Sequence, residues 1–237
     1  MGRKQKDLIG IIGGMGPMAS VLLQKIMIDL TPAARDQDHL PVICFSNPQI
    51  PDRTISLAKN NGMTFVAAVR DTARVLVQAG ATVLVLPCNT AHSRLEEIQQ
   101  EISVPIVNMV SVTVFGIIKK YPAVRTVGLL ATDGTLHERV YERAASACNL
   151  STIIPNKREQ KQIMRIIYSI KARGVTPICI RDLKRVINGL IKRGAEAIIL
   201  GCTELSLAYN ELPMDQIPIV DSLREVSHSL INLYFKK

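Results

Sequence analysis

The sequence predicts an α/β protein made of two similar parallel-sheet halves, related by a pseudo-twofold axis and facing each other across a cleft. Three observations carry that reading. Short β-branched runs alternate with longer helical patterns along the chain, as strands joined by crossover helices do. The runs are continuously apolar instead of alternating, as strands covered on both faces must be. A first set of runs is then echoed, in the same order, by a second. The 237 residues suffice for one large domain or two of roughly 100–150. With 47% hydrophobic residues the chain can bury a sizeable core, which excludes disorder, collagen and coiled coil for its bulk. Aromatics contribute only 4% and Trp is absent, so the core must be Ile, Val, Leu and Ala, a composition suited to a helix-covered parallel sheet.

Residues 8–12 form the first run. Arg3, Lys4 and Lys6 precede it and lend it the outline of a secretory leader. Asp7 interrupts that outline, and the apolar stretch ends after seven residues at Met15-Gly16-Pro17, so a strand closed by a glycine turn explains it better. Strands follow at 41–45, 82–86 and 105–107, then at 126–130, 151–154, 197–200 and 217–220. A helix reads at 64–78, where Ala68, Asp71, Thr72 and Val75 set the phase and Gly80 closes it. Another reads at 160–171, with Ile163, Ile166, Ile167 and Ile170 on one face. No stretch approaches the ~18–20 apolar residues that cross a bilayer, so no membrane partner is expected.

The repeat is specific. Residues 9–14 (IGIIGG) pair with 127–132 (VGLLAT) at an offset of 118, 86–90 (LPCNT) with 200–204 (LGCTE) at 114, and 105–108 (PIVN) with 218–221 (PIVD) at 113. The connection between halves is expected between about 107 and 125. Residues 222–235 read as a last helix able to pack on either half. The expected division assigns 1–109 with 213–237 to the N-terminal α/β domain and 110–212 to the C-terminal one.

A net charge of +9, from 29 Lys and Arg against 20 Asp and Glu, attracts anions without saying which. Lys157, Arg158, Lys161, Arg165, Lys171 and Arg173 share a helix, but no stacking aromatics accompany them, so they read as a solvated face and no nucleic-acid partner is expected. The cysteines, at 44, 88, 148, 179 and 202, form no CxxC pair; neither a disulfide framework nor a zinc ribbon fits, and reduced thiols of a cytoplasmic protein do. His39, His137 and His228 lack metal-ligand spacing, so no metal is expected.

Chemistry concentrates at the ends of strands, where clefts of open α/β sheets form. The turn Gly13-Gly14-Met15-Gly16-Pro17 exposes backbone N–H groups at a helix start and favours contact with a carboxylate or phosphate. It also fits a relaxed dinucleotide fingerprint, but the next strand ends in Ser46-Asn47 and lacks the acidic residue that would hold a ribose. Cys88 and Cys202 occupy equivalent places in the repeat, each followed by hydroxyl or amide residues and a helix start. Two thiols from opposing halves can flank one carbon, one removing a proton while the other delivers one. Cys44, Cys148 and Cys179 read as small buried hydrophobes. His92, four residues after Cys88, could partner it as in a hydrolase, but no acidic orienter is evident and a half-exposed helical histidine is the plainer reading. Arg53 ends a loop stiffened by Pro48 and Pro51 and could hold a guanidinium over the cleft.

Taken in order, segments 13–17 (GGMGP), 47–53 (NPQIPDR), 87–92 (PCNTAH), 130–135 (LATDGT), 167–171 (IYSIK) and 201–204 (GCTE) closely resemble the aspartate/glutamate racemase family, in particular its aspartate racemase branch. The resemblance spans essentially the whole chain. It implies a two-domain α/β enzyme, commonly a homodimer, that interconverts L- and D-aspartate or a related acidic amino acid without pyridoxal phosphate or other cofactor. It makes Cys88 and Cys202 the acid/base pair. Asn89, Thr90 and Ala91 would bind the substrate carboxylate, and Arg53 and Lys171 would hold the carboxyl groups. Thr203 and the turn residues Met15 and Gly16 complete the expected substrate-binding set. The glutamate racemase branch opens with an Asp-Ser-Gly turn and carries His after its second Cys-Thr; here those positions read Gly13-Gly14-Met15 and Glu204, which favours aspartate. The alternatives are a broad-specificity amino-acid racemase or other two-cysteine isomerase of the superfamily, and a carboxylate-binding relative without turnover. Residues 56–65 match no assignable chemistry and, following Arg53, could shape the side-chain pocket.

Overall fold

The computed structural model describes residues 7–212 and 217–235. Arg3, Lys4 and Lys6 lie outside the described residues. The described residues form two four-stranded, wholly parallel sheets. In the first, β1 (Ile9–Gly13), β2 (Val42–Ser46), β3 (Val83–Val85) and β4 (Ile106–Val107) take the order β2-β1-β3-β4. In the second, β5 (Thr126–Ala131), β6 (Ser151–Ile153), β7 (Ala197–Gly201) and β8 (Ile219–Asp221) take the order β6-β5-β7-β8. The halves thus share one strand order, as the sequence repeat requires. β1 to β4 start one residue later than the apolar runs suggest and β8 two; for β2, β4 and β8 the cause is proline. Pro41, Pro105 and Pro218 lack an N–H for the ladder, yet their carbonyls accept from Ile9, Leu84 and Ile198.

The helices are α1 (Pro17–Leu30), α2 (Arg53–Asn60), α3 (Met63–Gln78), α4 (Leu95–Gln99), α5 (Met109–Lys120), α6 (Asp133–His137), α7 (Val140–Ser146), α8 (Lys157–Arg173), α9 (Pro177–Lys192), α10 (Thr203–Ser206) and α11 (Ser222–Phe235). α8 buries Ile163, Ile166, Ile167 and Ile170, the face read from the sequence, and starts three residues earlier because Asn156 and Glu159 form a capping box. Its basic residues other than Lys171 lie exposed to solvent.

The repeat extends into packing. α3 and α9 are both 16 residues long and occupy equivalent places. Gly10 in β1 and Gly128 in β5 are equivalent as well. A Cβ at Gly10 would lie 2.5 Å from Leu84 Cδ2 and 2.9 Å from Ala81 Cβ; at Gly128 it would lie 2.6 Å from Ile198 Cδ1 and 3.1 Å from Leu190 Cδ1. Each central strand therefore uses glycine to let its neighbouring strand and covering helix close in.

The connections between the sheets cross over. Val110, Val114 and Ile117 of α5 pack in the apolar cluster of β5 and β7. Leu223, Val226 and Leu230 of α11 join Ile9, Ile11, Leu23 and Val83 under the first sheet. The last helix, which the sequence left free to pack on either half, rests on the first.

Two local differences bear on the site. Arg53 is not the end of a loop but the first residue of α2, because the Asp52 carboxylate accepts the Ile55 N–H at 3.0 Å and starts the helix there. At the end of β1, Gly14 has φ 97° and a Cβ there would lie 2.2 Å from the Asn47 carbonyl oxygen.

Gly14→Ala should therefore cost more than Gly80→Ala, where φ is 95° but the nearest atom is 3.8 Å away. A urea titration should show a loss of about 1 kcal/mol for the second and roughly 2–3 kcal/mol for the first. Equal losses would mean that the contact with Asn47 carries no weight.

Candidate active site

The carboxyl ends of β3 and β7 each lead directly to a cysteine. Cys88 precedes a short 3-10 helix (Thr90–Arg94), and Cys202 precedes α10. Both thiols are nearly buried, at 6% and 5% exposure, and both line one cavity. Of the residues singled out in the sequence, Met15, Arg53, Asn89, Thr90, Lys171 and Thr203 line it too. Two do not. Ala91 is fully buried in the apolar cluster behind Cys88, and Gly16 lines an adjoining cavity. Residues 56–65 also stay out of the wall: their Phe65 turns into the core, and Asp52, Arg53 and Thr54 form that side instead.

Arg53 is buried, at 8% exposure. Its Nη1 donates to the Pro51 carbonyl at 3.1 Å, while its Nε has no hydrogen-bond partner among the described residues. Nor does any carboxylate among them pair with it. An uncompensated buried guanidinium is costly unless an anion joins it. Lys171 differs: its Nζ stands 3.6 Å from Glu204 Oε1. The other Glu204 oxygen accepts the Cys202 thiol at 3.0 Å. Burial, and next the Glu204 charge, push the Cys202 thiol well above its usual range, so it rests protonated.

Behind the thiols the halves are joined by buried polar groups. The Tyr141 hydroxyl donates to Asn89 Oδ1 at 2.6 Å, Asn89 Nδ2 donates to Ser222 Oγ at 3.1 Å, and Ser222 Oγ donates to the Leu200 carbonyl at 3.0 Å. The Asn89 side chain is thereby committed to the protein, which leaves its backbone for any ligand. Thr90, Thr132 and Thr135 close a triangle of hydroxyl contacts of 2.9–3.0 Å across the same seam. His92 is buried, not half-exposed. Its Nδ1 donates to the Cys88 carbonyl at 2.9 Å and its Nε2 accepts the Met109 N–H at 3.1 Å. Burial lowers its pKa, and with both nitrogens engaged it is a neutral strut that cannot take a proton from Cys88. Cys179 is buried, whereas Cys44 and Cys148 are only partly so.

Sequence reading passed over Thr132, Met164, Tyr168 and Glu204 as wall residues. Thr132 was within reach, since it is the repeat partner of Gly14. Met164, Tyr168 and Lys171 share one side of α8, a helical spacing that becomes informative only once that helix is docked over the cleft.

Two parallel sheets thus bring a cysteine from equivalent strand ends to one cavity. The family described as Asp/Glu/Hydantoin racemase matches residues 12–227, and the chain belongs to that family; it is a racemase and therefore an isomerase. Among relatives, the broad specificity amino-acid racemase RacX of Bacillus subtilis (strain 168) is 30% identical over 233 residues, covering 96% of this chain and 98% of its own. The aspartate racemase of Picrophilus torridus superposes with a TM-score of 0.82 at 30% identity, covering 96% of this chain and 94% of its own. A glutamate racemase from Francisella tularensis subsp. tularensis SCHU S4, in complex with D-glutamate, shares the fold at 19% identity and TM-score 0.71, covering 98% and 82%. No helix among the described residues is long and apolar enough to cross a membrane.

Tyr141→Phe leaves Asn89 Oδ1 buried without a donor and should cost about 1–3 kcal/mol in a urea titration; no loss would show that the seam is not held there. Asp221 sits beside this seam with Oδ2 unpartnered among the described residues, and burial raises its carboxyl from 3.8 to about 6. The folded protein therefore holds that proton more tightly than the unfolded chain does. Asp221 thus makes stability fall as pH rises from about 4 to about 6, by up to roughly 3 kcal/mol. Asp221→Asn should remove that part of the slope in denaturation measured across this window.

Proposed function

We propose that the protein interconverts L- and D-aspartate, or a closely related acidic amino acid, with Cys88 and Cys202 as the acid/base pair and without pyridoxal phosphate. The observation that supports this best is the buried Arg53 guanidinium, without a carboxylate partner, in the wall that also carries both thiols. Together with Lys171 it gives the cavity two cations for the two carboxylates of aspartate, while Glu204 and the helix-capping Asp52 supply carboxylates in the same wall for its ammonium.

With the α-carboxylate beside Arg53 and the N–H groups that open the Thr90–Arg94 helix, whose first N–H groups lack intrahelical partners, negative charge developing at Cα and its carboxylate meets donors fixed in advance. The Cys88 thiolate removes the Cα proton, the electron pair passes into the carboxylate, and the Cys202 thiol returns a proton to the opposite face. The thiols exchange roles for the other enantiomer. Glu204 fits the resting state, since its carboxylate holds the Cys202 proton in place. Thr203 and Met15 contact the substrate from the two halves, and Gly16 and Ala91 act through the backbone.

On this reading residues 1–109 form one domain with α11 and 110–212 the other, and the expected segment 213–237 is divided, because β8 pairs with β7 in the second sheet while α11 returns to the first; 213–216 lie outside the described residues. The family likeness also favours a homodimer, and the likeness to RacX favours a wider range of amino acids for the same two thiols.

In D₂O without added cofactor, L- and D-aspartate should both exchange the Cα proton for deuterium, followed by NMR. Cys88→Ser and Cys202→Ser should each abolish interconversion, and Arg53→Ala should cut kcat/KM for aspartate by at least about a hundredfold, as loss of a charged contact does. Absence of exchange with any acidic amino acid would sink the racemase reading for these substrates, and an active single-cysteine variant would sink the two-thiol mechanism.

A further inference from the structure

The void left among the catalytic side chains is small, about 30 Å³. A second cavity of about 220 Å³ adjoins it. The two share three wall residues, Lys171, Thr203 and Glu204. The other walls of the second cavity are largely apolar, with Met18 and Ala19 from α1 and Ile170 and Leu207 from the second half. It therefore lies on the interface between the halves, as the first cavity does.

That position has a stereochemical meaning, given the two-thiol reading on which this inference rests. Inversion at Cα with one sulfur on each side leaves the other substituents in the plane between the halves. One of them, the α-carboxylate, goes to Arg53. A side chain longer than that of aspartate must leave along the interface, on which the adjoining cavity also lies.

Two of the three shared wall residues, Lys171 and Glu204, face each other. At 3.6 Å their contact is longer than the roughly 2.7–2.9 Å of a direct charge-assisted bond. The Lys171 side chain is 35% exposed, so its ammonium can swing into water on a flexible stem without being desolvated. Glu204 keeps its bonds to Cys202 and Thr203 when that happens. We infer that Lys171 is a movable partition between the catalytic cavity and a side-chain subsite for long, uncharged amino acids such as methionine. With the partition closed, Lys171 meets the distal carboxylate of an acidic substrate. With it open, an apolar side chain passes into the second cavity, whose walls beyond the three shared residues are largely apolar.

The test is Cα deuteration in D₂O by the full chain, with aspartate and methionine measured separately. The wild type should exchange both. Leu207→Phe, which fills the cavity wall, and Met18→Trp, which obstructs its rim from a position 56% exposed, should each lower kcat/KM for methionine by at least about tenfold, while aspartate changes by less than about twofold. Met18→Trp keeps the test decisive if the Leu207 variant does not fold. A wild type that exchanges aspartate but not methionine overturns the subsite and leaves the racemase reading intact. Equal losses for both substrates overturn it as well. Failure to exchange either amino acid removes the two-thiol reading for these substrates, and the subsite with it.

Discussion

The side chain of Asn89 is the point on which the two halves of the molecule are aligned. It follows Cys88 in the first half, yet both ends of its amide are held from elsewhere, by the Tyr141 hydroxyl and by Ser222 at the start of the returning helix α11. All three groups are buried, so neither water nor another partner can replace these bonds at low cost. Ser222 in turn reaches the Leu200 carbonyl, two residues before Cys202. Two hydrogen bonds in series therefore link the residue after one thiol to the backbone just before the other, and Tyr141 braces the first of them. The threonine triangle at Thr90, Thr132 and Thr135 repeats the connection on another side. Apolar packing alone would let the halves slide; directional bonds in a low-dielectric seam set their relative position.

The same seam explains why charge is handled asymmetrically around the cavity. Arg53 enters from the first half with no carboxylate to meet it, while Lys171 enters from the second already facing Glu204. A bound anion can neutralise the first without displacing anything, whereas the second is available only in exchange with Glu204. Glu204 also grips the Cys202 proton, so one acidic side chain touches both the proton inventory and the cation inventory of the site. The net charge of +9 needs no nucleic acid to account for it: the basic residues of α8 other than Lys171 lie in solvent, away from the cavity.

His92 shows how far local sequence can mislead. A histidine four residues after a cysteine on a helical stretch has the right spacing to activate it. In the fold the ring turns inward, bonds the carbonyl of Cys88 and caps the N–H of Met109. It ties the loop that carries the thiol to the start of α5, a support for geometry and not a proton carrier. Arg53 is the converse case. Its neighbours pointed to a stiff loop, but Asp52 caps a helix there, and the guanidinium is positioned by α2 more firmly than a loop would allow.

The sequence by itself determined the two-sheet α/β architecture, because continuously apolar runs and a repeat offset of 113–118 residues leave few other ways to bury the core. It also singled out Cys88 and Cys202, since equivalent positions in a repeat that end equivalent strands must face each other when the sheets do. Only the tertiary structure decided where α11 packs, that Asn89 turns its amide to the protein, that His92 is spent on the backbone, and that Glu204 stands between a thiol and a lysine. Those facts depend on contacts between residues as far apart as Asn89 and Ser222, and no local pattern records which distant donor or acceptor a buried polar group will find. Hydrophobic periodicity is a property of segments, whereas hydrogen-bond partnership across a seam is a property of the assembled halves.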